Sequence, residues 1–219
     1  MRQVPPIAGS DAARRVAGSD ERRHATFLAL TASAYSLCHH VGALPEGLGA
    51  AWSGTRVADW VDLLAPLLVL TPALLTLAVA QAGRATFALF ALGSWLYASG
   101  HGIHLAANSI GNEAPGDTAH LWDEYVGHYL WYAGVVVVAA TLAWTMRGRP
   151  RPRWPPAYLL AVTVGATWAT NAVGGHLWVG GLIVAVVAAW LGWRRRREQL
   201  VLIAVAAAPA ALLLTALQL

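Results

Sequence analysis

Residues 84–108 read RATFALFALGSWLYASGHGIHLAAN, and this stretch decides the fold. As a helix rising about 1.5 Å per residue it is long enough to cross a ~30 Å hydrocarbon core. Ser94, Tyr97, His101, His104 and Asn108 are separated by gaps of 3, 4, 3 and 4, so they fall on one stripe of that helix. The rest of the surface is apolar. Such a helix belongs with lipid outside and polar neighbours inside.

Outward from this segment, further apolar runs lie at about 25–43, 57–81, 120–146, 156–173, 176–194 and 199–218. Pro45-Glu46-Gly47, Gly83-Arg84, the acidic 111–117 loop, the Arg147–Arg153 stretch, the 171–175 turn and Arg194–Arg197 separate them. Composition agrees. The 219 residues are 57% hydrophobic and 12% charged, where a soluble domain carries roughly a quarter charged residues. The expectation is an all-α integral membrane protein, a bundle of seven transmembrane helices over 25–219 preceded by a polar tail over 1–24.

All 15 basic residues are arginine, and 14 of them fall in the N-terminal tail, at Arg84, in 147–153 and in 194–197. These are alternate connections, and only Arg56 lies on the other side. The positive-inside rule then puts the N-terminus in the cytoplasm and the C-terminus outside, and a multi-pass protein of the plasma membrane is the expectation. Six spans would break the alternation. The basic tail with the first apolar run is similar to a secretory signal, but no small-x-small site closes the run, and it carries His39 and His40. An uncleaved span is expected. Arg194–Arg197 reads as a topology anchor against anionic lipid, not as a nucleic-acid surface. Cys38 is the single cysteine, which excludes an internal disulfide framework.

Under this topology His39, His40, His101, His104, His120, His128 and His176 all fall in the outer halves of their spans, with Asp59, Asp62, Asp123 and Glu124. Ionisable groups in a bilayer are costly and usually functional. His120, Glu124 and His128 are spaced by four on the fourth span, and Ser33, Ser36 and His40 share a stripe of the first. Imidazole and carboxylate at such spacings are how helical bundles build metal sites. The expected ligands are His40, His101, His104, His120 and His128, with Glu124 and Asp62 as ligand or base and His176 as a weaker addition. Interhelical hydrogen bonding is the competing explanation, and His39 and His176 fit it best. Asp123 fits a helix N-terminal charge, and Thr163, Thr167 and Thr170 fit packing.

Three functions follow from such a site. A divalent ion, zinc by donor set with iron as the alternative, serves an enzyme acting on a lipid-like or apolar substrate at the outer leaflet. With two irons the same residues serve an oxidoreductase. A metal or proton transporter needs a polar path through the inner halves, which offer little beyond threonines, Ser94 and Gln81. A sensor, assembly factor or haem carrier needs only the histidines.

Seven spans with the N-terminus inside, Ser36-x-x-x-His40 on an early span and Asp59 or Asp62 on the next resemble the superfamily of alkaline ceramidases and progestin/adiponectin receptors. The resemblance implies a zinc-dependent hydrolase of lipid amides or esters, with His40 as ligand and Ser36 and Asp62 as site partners. That family's His-x-x-x-His pair in the last span has no counterpart here. His120 and His128 of the fourth span would stand in for it.

Overall fold

A computed structural model describes residues 9–147, 149, 154–175, 177–194 and 198–218. Among these residues the secondary structure is helical, apart from one isolated bridge between Ala50 and Arg56. The helices are α1 (Gly9–Cys38), α2 (Val57–Asp62), α3 (Ala65–Val79), α4 (Arg84–Glu113), α5 (Asp117–His120), α6 (His128–Thr145), α7 (Pro155–Gly174), α8 (Trp178–Arg194) and α9 (Glu198–Gln218). A π-helical segment, Leu121–Gly127, joins α5 to α6. Counting α2–α3 and α5–α6 as continuous rods leaves seven, at the positions of the seven apolar runs.

Local chemistry sets the ends. Pro66 and Pro155 occupy first-turn positions, where the missing N–H costs nothing. Short 3-10 turns follow α1, with Glu46, Leu48 and Ser53 at positive φ. α1 runs unbroken from Gly9 through the end of the stretch expected as a polar tail, and His24 is buried against Thr145 of α6 (3.0 Å). Arg56, the one arginine outside the charge pattern, pairs with Asp59 at 2.8 Å, and Ser109 of α4 donates to the same carboxylate.

Two glycine pairs, each seven residues apart, allow α4 and α6 to meet backbone to backbone. A Cβ at Gly100 would overlap the backbone of Trp131, and one at Gly134 would overlap that of Tyr97. Gly93 faces Val137 and Gly127 faces His104 in the same way. The descending pairs, 93 with 137 and 104 with 127, make the two helices antiparallel. α7, α8 and α9 pack on alanines (Ala169, Ala185, Ala204, Ala207), with Gly165 against the Ile203 carbonyl. Ser36–Thr163 and His40–Thr167, each 3.2 Å, tie α1 to α7.

The core mixes large apolar residues such as Leu77, Tyr97 and Trp131 with polar ones, and many large apolar side chains lie on the outside. Ala, Thr, His101, His128 and Asp59 are buried, while Leu67, Trp95, Ile183 and Val186 are each at least 60% exposed. Two rods, Val57–Val79 and Asp117–Thr145, are long and apolar enough to cross a membrane. The polar stripe dilutes α4, and the apolar stretches of α8 and α9 are shorter, Val179–Arg194 and Gln199–Ala211.

Candidate metal centre

The α4 stripe carries His101 and His104 toward α6, where Gly127 and Gly100 remove the side chains that would hold the helices apart. Across the seam, His128 opens α6 and lies with its ring centroid 4.4 Å from that of His104. The π-helical winding supplies the third group. Its i→i+5 pairing stacks Asp123 over His128, whereas α-helical winding would turn Asp123 aside. The His104 Nδ1 lies 2.5 Å from the Asp123 Oδ1. One donor atom each from His104, Asp123 and His128 falls within 4.8 Å of the other two.

Carboxylates accompany the other imidazoles as well. His128 Nδ1 lies 3.2 Å from the Glu124 carbonyl oxygen and 3.5 Å from its Oε2. With its Nδ1–H donated to Asp123, His104 turns Nε2, the lone-pair nitrogen of that tautomer, toward a ligand. His101 Nε2 stands 3.4 Å from the Asp62 Oδ1. Neither ring nitrogen of the fully buried His101 has a hydrogen-bond partner among the described residues, nor do Asp62 Oδ1 and Glu124 Oε2. Buried polar atoms without partners are uncommon and call for an occupant. Two imidazoles and a carboxylate within reach of one another, beside the buried His101 Nδ1, therefore fit a divalent cation.

Trp131 forms the floor. Its ring centroid is 5.1 Å from His39, 5.0 Å from His101, 5.4 Å from His104 and 5.8 Å from His128. The indole is a rigid spacer that fixes four imidazoles around one side chain. His39 is held further by Tyr97, whose O–H donates to Nε2 at 2.9 Å, and by its own Nδ1, 2.8 Å from the Tyr35 carbonyl.

Of the residues expected at a metal site, His101, His104, His128, Asp62 and Glu124 come together. Three do not join them. α1 ends at Cys38, so helical periodicity no longer applies at His39 and His40: His39 turns to Trp131, and His40 turns to Thr167. Ser36 faces Thr163 of α7. His120 is exposed on α5 against Tyr125, because the π-helical winding breaks its register with His128. His176 lies outside the described residues. Asp123 was assigned by sequence to the helix end, and the signal for its role, a π turn, leaves no pattern in residue type. No protein-family model, curated protein or solved structure matches the chain.

Proposed function

We propose that the chain is a seven-span integral membrane protein whose centre, His104, His128 and Asp123, holds a divalent metal near the non-cytoplasmic face for hydrolysis of a lipid-like substrate. The observation that carries this is the convergence of those three groups from two helices. Membrane insertion is supported by the many large apolar side chains on the outside of the bundle, with histidines, threonines and Asp59 buried between its helices. The arginine alternation supports the orientation.

Zinc held by His104, His128 and Asp123 would keep an open position and supply Lewis acidity at a carbonyl oxygen. Glu124 accepts the proton from the attacking water and returns it to the leaving group through Oε2, which makes no hydrogen bond among the described residues and lies 3.5 Å from His128 Nδ1. His101 and Asp62, 3.4 Å apart, flank the centre one turn along α4. Trp131 closes the floor against water. The resemblance to alkaline ceramidases points to amides or esters of lipids, and in this reading Ser36 and His40 brace α1 on α7.

Two histidines and one carboxylate with open positions also suit non-haem iron, which makes an oxidoreductase the second reading. Metal analysis of the detergent-purified protein separates the two. About one zinc per chain, lost in His104→Ala and His128→Ala, is the result expected for the hydrolase. Stoichiometric iron would turn the proposal to oxidation, and no bound metal after reconstitution would end it.

A further inference from the structure

At the end of the bundle opposite the candidate metal centre, where His24 bonds Thr145, a cleft of about 410 Å³ opens between the α3–α4 turn and the end of α6. Its walls include Gln81, Gly83, Trp144, Thr145, Arg147 and Arg149, and none of the residues lining it is acidic. Thr145 is 17 residues beyond His128, about 25 Å along the helix. The cleft is therefore separate from the metal centre.

Three features give it the chemistry of an anion site. Two guanidinium groups line one small volume, and guanidinium presents paired N–H donors that match phosphate oxygens. The Arg147 guanidinium carbon sits 3.9 Å from the centre of the Trp144 ring, which holds that cation at the cleft instead of leaving it to sweep through solvent. Gln81, at φ 53°, turns the chain so that Gly83, the residue before α4, borders the same space. No acidic side chain occupies the first turn of α4.

We infer that this cleft binds a phosphate-bearing anion. Trp144, 57% exposed beside it, offers an apolar flank next to the cations, and that combination suits the phosphodiester headgroup of an anionic phospholipid. The lipid source rests on the membrane reading; the phosphate chemistry does not, and neither depends on the metal.

The test is native mass spectrometry of the full chain in detergent, titrated with phosphatidylglycerol, with phosphatidylcholine, and with inorganic phosphate as competitor. Phosphatidylglycerol adducts should exceed phosphatidylcholine adducts. The double variant R147Q/R149Q should weaken phosphatidylglycerol binding about tenfold, as expected for lost charge-assisted hydrogen bonds. R22Q, which removes an exposed arginine of α1 outside the cleft lining, should leave it unchanged. If the double variant folds poorly, the charge reversal R147E, at an exposed position, gives the same readout. Adducts that resist millimolar phosphate identify a lipid headgroup, and adducts displaced by it identify a soluble phosphate ligand. Equal phosphatidylglycerol binding by wild type, R147Q/R149Q and R147E would overturn the proposal.

Discussion

His104 on α4 and Asp123 on the π-helical turn before α6 share the shortest ion pair of the cluster, 2.5 Å between Nδ1 and Oδ1. Both side chains are mostly shielded, at 19% and 16% exposure, so solvent screens the contact weakly. Asp123→Asn keeps the shape and removes the charge. Whether Asp123 ligates the metal or orients His104, metal affinity should fall about 10–100-fold, measured by competition with a chelator.

Glu124→Gln should separate binding from turnover. The residue follows Asp123, and its Oε2 has no hydrogen-bond partner among the described residues. Metal content should stay near that of the wild type, while hydrolysis of a lipid amide or ester falls about 10²–10⁴-fold. A parallel loss of metal and activity would make Glu124 a ligand instead of a proton carrier.

The glycine seam supplies a matched pair on one helix. Gly100→Ala places a methyl group against the Trp131 backbone and should cost about 1–3 kcal/mol by forcing α4 and α6 apart. Gly102→Ala meets nothing within 4 Å and should be neutral or mildly stabilising. Thermal unfolding in detergent reads both. Metal loss should accompany only the first.

His24 lies before the first apolar run, buried at the end of the bundle away from the metal centre. Burial lowers its pKa from 6.5 to about 4, and the positive Arg149 nearby adds to the effect. The folded state therefore holds the ring neutral, while the unfolded chain takes up a proton below pH 6.5. Stability is fully present above that pH, falls progressively as pH drops toward 4, and changes little further below it. His24→Gln can keep a hydrogen bond to Thr145 without titrating, so its melting temperature should show a smaller decline across that window.

The helical rods and the α4 stripe were legible because apolar length and the 3-4 spacing depend only on regular winding. His101 and His104 obey that spacing and converge as it implies. His40, His120 and Asp123 departed from it at places where winding is irregular: the end of α1 at Cys38 and the π turn at Leu121–Gly127. Residue types do not mark either place. The seven-residue spacing of Gly93 with Gly100 and of Gly127 with Gly134 is visible in the sequence, but it acquires meaning only when the two helices are set antiparallel. Trp131 was equally hidden, since only the packed structure surrounds it with imidazoles.

The π turn has a consequence for how this centre could be gained or lost. A π-helical turn holds one residue more than its α-helical equivalent, which is the length change of a single inserted codon. Deleting one residue between Leu121 and Gly127 would let the rod wind as α-helix throughout. Asp123 would rotate off the seam while His104 and His128 stayed unaltered. The centre thus depends on the phase of a helix as much as on its side chains, and one step of that phase disarms it with every ligand still encoded.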